Sequence, residues 1–122
     1  MDIEVEIDKI ASDFKNCQKL LIALGDSTRQ HLILEMLKMK DCNGVRVNDI
    51  AKCTHLSRPA VSHHLQILKQ AGIIKMRKEG TKNYYYFDPD KDNIELLRSV
   101  LKRTLMITSG LPDRSGNNDL IY

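Results

Sequence analysis

The stretch from Ser57 to Gly72 constrains the fold more than any other part of the chain, because it holds its own start signal, apolar stripe and stop. The Ser57 hydroxyl can cap a helix, and Pro59 is tolerated in a first turn, where the amide it lacks would have no helical partner. Gly72, after Ala71, supplies the left-handed residue that closes a helix. The spacing predicts a helix over 58–70. At about 100° per residue from Val61, Leu65 and Leu68 fall within about 40° of it and His64 about 60° away, so these form the inward side. Pro59, His63, Gln66 and Gln70 point the opposite way, with Ser62 and Lys69 on a flank. That outward face is polar, neutral or basic, and it contains no carboxylate.

What surrounds this helix sets the fold class. Residues 74–78 and 83–87 are β-favourable runs on either side of Glu79-Gly80-Thr81-Lys82, the pattern of a short hairpin with basic residues near its tip. Upstream, Ile7, Ile10, Ala11, Phe14, Cys17, Leu20, Leu21 and Leu24 recur at helical spacing before Gly25, predicting one amphipathic helix. Asp26-Ser27 can cap a second, whose apolar positions Ile33, Met36 and Leu37 continue toward Lys40 before Asn43-Gly44 ends it. A short third helix fits 47–53 with Ile50 and Ala51 inward, followed by a tight turn at His55-Leu56. A last helix over 92–107 carries Ile94, Leu97, Val100, Leu101 and Leu105. The expected architecture is mainly α with a two-stranded β-hairpin wing: a winged helix-turn-helix spanning residues 1–108, then a flexible tail over 109–122. With 122 residues, 42% of them apolar, there is material for one core and not two.

Charge points the same way. Residues 45–87 hold eight Lys and Arg against only Asp49 and Glu79, a local +6 in a chain whose total is +3. A polyanion is therefore steered to the middle segment. Hydroxyl, amide and imidazole groups can bond base edges, whereas a carboxylate would be repelled by phosphates. We therefore expect Ser57 and Arg58, at the positive end of the helix, together with Ser62, His63, Gln66 and Lys69, to meet DNA. Arg58, Ser62, His63 and Gln66 are assigned to the groove, and Arg77, Lys78 and Lys82 to phosphates or the minor groove. His64 is expected to be a core histidine with a hydrogen-bond partner. The Tyr84-Tyr85-Tyr86 run is expected to pack on the helices instead of stacking on single-stranded bases.

Several segments together resemble the ArsR/SmtB family of repressors: Ala23-Leu24-Gly25-Asp26-Ser27-Thr28-Arg29, then Ile50-Ala51, then Leu56-Ser57-Arg58-Pro59-Ala60-Val61-Ser62-His63-His64-Leu65, then Ala71-Gly72-Ile73-Ile74. The likeness covers roughly residues 10–105. It implies a homodimer through the first and last helices, a palindromic double-stranded DNA operator, and release when an inducer binds. The apolar stripes of those two helices, each in need of a cover, agree with a self-complementary pairing.

The familiar metal ligands of that family are mostly missing. Residues 45–49, corresponding to its two-cysteine site, contain no cysteine, and the last helix has no His and only Asp92 and Glu95 as acids. No metal or other cofactor is expected, and the identity of the inducer stays open. His63 and His64, as helix neighbours, do not converge on one ion. Cys17 lies on an apolar stripe, which leaves Cys42 and Cys53, near Lys40 and Lys52, as the better thiol-sensing candidates.

An enzyme is excluded by the absence of a Gly-rich phosphate loop, a His-Glu-x-x-His pair or a nucleophile elbow. The competing expectation is a winged-helix protein-interaction module without DNA binding. Three cysteines with no Cys-x-x-Cys, an acidic N-terminus and no long apolar run predict a cytoplasmic protein without membrane contact.

Overall fold

The computed structural model describes residues 2–39 and 43–116. In chain order it comprises α1 (Ile3–Asn16), α2 (Gln18–Leu24), α3 (Ser27–Lys38), α4 (Val47–Thr54), α5 (Arg58–Gln70), β1 (Ile74–Glu79), β2 (Lys82–Phe87) and α6 (Lys91–Ser109). Helix α5 sits at the centre. Its Val61, Leu65 and Leu68 are fully buried, and they meet Leu20 and Ala23 of α2, Leu32 and Met36 of α3, and Ile50 of α4 in one core closed by Ile74 and Tyr85 of the hairpin. Helices α1 and α6 pack on each other beside this body.

Short polar side chains start most of the helices. Asp2 accepts from the amides of Glu4 and Val5, Asp26 from Arg29, Ser57 from Ala60, and Asp90 from Asp92 and Asn93. Each satisfies an amide that the helix itself leaves unpaired. The α4–α5 turn passes through His55 at φ 59, a left-handed conformation uncommon for a residue with a side chain. At the far end of α5, Gly72 has φ +78, and a Cβ there would lie 3.2 Å from the Asp90 Cβ, so both backbone and space call for glycine.

Three expectations are corrected. The single helix over 7–24 is two helices: the chain starts helical at Ile3 and breaks at Cys17 (φ −111, ψ 19). The break lets α2 turn Leu20 and Ala23 into the core while α1 buries no residue at all. In α3 Met36 is buried as expected, but the deepest residue is Leu32, fully buried, whereas Leu37 is 63% exposed; the buried face is turned by about 60° from the one read in the sequence. The hairpin is one pair longer than expected, because Glu79 pairs with Lys82 and leaves a two-residue Gly80-Thr81 turn. A bridge missed in the sequence adds Val45 to the sheet, its N–H and C=O each bonded to Tyr85 at 2.8 Å.

Of the expected tail, Ser109 closes α6, residues 111–116 carry no helix or strand, and residues 117–122 lie outside the described residues. Among the described residues no helix is long and apolar enough to cross a membrane.

Candidate nucleic-acid interface

The outward side of α5 is open. Arg58, Pro59, Ser62, His63, Gln66 and Gln70 are exposed and Lys69 is half-buried, directly opposite the buried row of Val61, Leu65 and Leu68. Ser57, at the N-cap, is exposed while its Oγ accepts the Ala60 amide. The apolar row thus fixes the helix to the body, and the polar row is presented to solvent on a rigid element, as base reading in a major groove demands.

The hairpin supplies a second patch, and its cations are unlike one another. Lys78 and Lys82 are exposed near the tip. Arg77 is engaged within the protein: its Nε donates to Glu79 at 2.9 Å, its Nη1 donates to the Asn43 carbonyl, and its guanidinium lies 5.0 Å from the centre of the Tyr84 ring. It braces the wing against the loop before α4, and Glu79 offsets its charge. Lys75 is likewise held, 2.5 Å from Asp88, and that carboxylate raises the lysine's pKa above its ordinary value. Of the three tyrosines, Tyr85 is buried in the core while Tyr84 and Tyr86 are half-buried. This alternation is what a strand with one face on the core requires.

The seat of α5 depends on a residue whose role the sequence did not disclose. Arg29, only 8% exposed, donates from Nε to the Ala23 carbonyl at 2.9 Å and from Nη2 to the Ile22 carbonyl at 3.0 Å, while its Nη1 lies 3.3 Å from Nδ1 of His64. A guanidinium has no acceptor, so in a hydrogen bond between the two Nδ1 is the acceptor. Arg29 therefore closes the C-terminal end of α2, where carbonyls lack helical partners and a cation is favoured, and it links that end to α5. The partner expected for His64 is this arginine. Its signal lay in the quoted run Gly25-Asp26-Ser27-Thr28-Arg29: Asp26 caps α3, and its neighbour three residues on caps α2. The Arg29 amide holds the Asp26 carboxyl below its ordinary pKa, against a partial desolvation that pushes the other way.

Cys17 is buried and Cys53 exposed, while Cys42 lies outside the described residues. Among the described residues no three His, Cys, Asp or Glu side chains are grouped as metal ligands would be.

Comparison with known proteins places the same elements in a wider set. A family model described as bacterial regulatory protein, arsR family, matches residues 27–76, which run from the start of α3 through α5 into the wing. An HTH-type transcriptional regulator of Methanocaldococcus jannaschii is 42% identical over 79 residues, covering 64% of this chain and 84% of that protein. The transcriptional repressor SdpR of Bacillus subtilis is 43% identical over 63 residues, covering 52% of this chain and 66% of that one. The crystal structure of an ArsR family transcriptional regulator superposes with a TM-score of 0.58 at 16% identity, over 89% of this chain and 96% of that chain, a likeness of fold.

Proposed function

This chain belongs to the arsR family of winged helix-turn-helix transcriptional regulators, and from that premise we propose that it acts as a homodimeric repressor, released from its operator by an inducer. One observation carries the DNA-reading part: Arg58, Ser62, His63 and Gln66 stand exposed on the single helix whose other side is the centre of the core. Arg58 and the imidazole, hydroxyl and amide groups behind it meet base edges in the major groove, while Lys78 and Lys82 reach the neighbouring phosphates. Ser57 and Lys69 border the same surface and contact the backbone. Arg77 contributes chiefly by holding the wing in shape.

Dimerisation is the natural use of the unpartnered apolar surface. Ile3, Ile7 and Phe14 of α1 are each 45–50% exposed, and Ile94, Leu101 and Leu105 of α6 are 42–69% exposed. A two-fold pairing through α1 and α6 covers both stripes and sets two copies of α5 on successive major grooves of an imperfect palindrome. The proposal assigns the chain no resident metal or cofactor, and places it in the cytoplasm with its DNA.

The direct test is binding to the DNA upstream of its own gene at several salt concentrations. One imperfect palindrome should be preferred and affinity should fall steeply with salt. His63→Ala should reduce the preference for that sequence, whereas Lys82→Ala should weaken all duplexes alike. Absence of salt-sensitive duplex binding by the intact chain would overturn the proposal.

A further inference from the structure

One cleft of the molecule differs in kind from the others. It opens between the end of α3 and the root of the wing and has a volume of about 190 Å³. Its walls are Met36, Leu37 and Met39 from α3 and its C-cap, Val45, and residues 85–87 of β2. Among the described residues no charged side chain lines it. Four other clefts each carry charge: Glu6 and Arg103 beside α6, Lys75 and Asp88 under the wing, Arg46 and Arg58 at the starts of α4 and α5, and Lys52 and Arg58 next to these.

The cleft also has one polar side. The N–H and C=O of Tyr85 both go to Val45, each at 2.8 Å. Backbone groups alternate between the two edges of a strand, so those of Phe87 fall on the Val45 edge, where no described residue takes up the pairing. The chain before Val45 turns toward Tyr84 instead: a Cβ on Gly44 would lie 3.0 Å from the Tyr84 Cβ, and the Asn43 carbonyl accepts from Arg77, the strand partner of Tyr84. A backbone donor and acceptor thus border a hollow made otherwise of thioethers, aromatic rings and aliphatic groups.

We infer that this cleft binds a small neutral aromatic molecule, one ring with a single polar substituent, and that this is the chemical class of the inducer. Size selects one ring: an apolar cavity of about 150 Å³ suffices for benzene, whereas a drug-sized ligand needs about 300 Å³ or more. The flexible Met36 and Met39 can close on a flat ring, Tyr86 and Phe87 offer aromatic contacts, and the Phe87 edge takes the polar substituent. A charged ligand would lose its water there without meeting a counter-charge. None of the lining residues belongs to the face assigned to DNA, so the ligand acts through the wing. A ring wedged between Leu37 and Phe87 sets the spacing of α3 and β2, and with it the tilt of the hairpin at its bridge to Val45, two residues before α4. DNA affinity falls by the ratio of the ligand's affinities for the two wing positions. The site stands on the cleft alone, and only its consequence for DNA rests on the repressor proposal.

The test uses phenol as the probe and the methyl signals of Met36 and Met39 as the readout. Phenol should shift both methyls saturably, and benzoate, of similar size but charged, should bind about tenfold or more weakly. Leu37→Asp, at an exposed position, should weaken phenol about tenfold or more by setting a carboxylate at the cleft. Leu34→Asp, one turn earlier on α3 and also exposed but away from the cleft, should leave phenol binding unchanged. Saturating phenol should lower wild-type affinity for the preferred duplex about fivefold or more and leave that of Leu37→Asp unaltered. Methyls that do not move, shifts that survive Leu37→Asp, or benzoate bound as tightly as phenol would overturn the site. Saturable binding with an unchanged duplex affinity would overturn the inducer role. A wild type that takes up phenol yet shows no salt-sensitive duplex binding would confirm the site and sink the repressor proposal instead.

Discussion

Replacing Arg29 by Met removes the guanidinium while keeping most of the stem that fills its place. Two charge-assisted hydrogen bonds disappear, to Ala23 at 2.9 Å and to Ile22 at 3.0 Å, together with the contact to His64. At about 1.5–3 kcal/mol for each bond to a charged group, the gross loss is about 3–6 kcal/mol. The variant no longer has to desolvate a charge, and Gly25 still donates to the Ile22 carbonyl, so the expected net loss is about 2–4 kcal/mol. For a chain of this size that corresponds to a fall in melting temperature of roughly 10–20 °C. Urea and thermal unfolding at one fixed protein concentration would measure it, since the stability of the proposed dimer would vary with concentration. Arg29→Lys should fall between the two, because one ammonium cannot serve both carbonyls and the ring. Arg58→Met is the counterpart: an exposed cation whose loss should change stability by less than about 0.5 kcal/mol while impairing DNA binding. A loss below about 1 kcal/mol in Arg29→Met would refute the role given to this arginine.

Other perturbations test separate parts of the molecule. Asp26 has its pKa lowered from 3.8 in the folded state, so its contribution is complete above that value and is lost as pH falls through the lowered one. Asp26→Asn, which can still cap α3, should therefore flatten acid unfolding in that range; an unaltered acid limb of the stability curve would count against it. Leu101→Glu with Leu105→Glu removes apolar burial of about 3 kcal/mol or more from each protomer, so sedimentation should show dimerisation roughly a hundredfold or more weaker. A double variant that sediments as the wild type would remove α6 from the interface. Gly72→Ala, at φ +78 with a neighbour 3.2 Å away, should cost about 1–2 kcal/mol in urea unfolding, and a neutral outcome would show that the turn relaxes.

The parts of the fold legible in the sequence are those encoded locally. Ser57, Pro59 and Gly72 bracket α5 to the residue, and the three-and-four spacing of Val61, Leu65 and Leu68 gives its inward side without any knowledge of neighbours. The exposed row that follows by subtraction is the row assigned to DNA. What escaped was decided by tertiary contacts. No Gly or Pro announces the break at Cys17; it exists because Leu20 and Ala23 have a core to enter and α1 has α6 to lie on. Apolar residues on several sides of α3 left its phase open, and packing chose Leu32 over Leu37. Sequence alone turns Arg77 toward phosphates and leaves Arg29 without a role, yet Arg29 is buried against carbonyls six and seven residues upstream and Arg77 reaches a carbonyl 34 residues away. Long side chains of this kind can stretch to partners that no sequence spacing reveals.

The most direct measurement is a titration of isotope-labelled protein with its preferred duplex, followed through the backbone and side-chain amide signals. Perturbations should concentrate on residues 57–66 and on the hairpin tip at 78–82, with the Gln66 side-chain amide among the largest, while α6 stays still. Perturbations centred on α1 and α6, with the signals of Ser62, His63 and Gln66 unmoved at saturation, would contradict the assignment of α5 to the major groove.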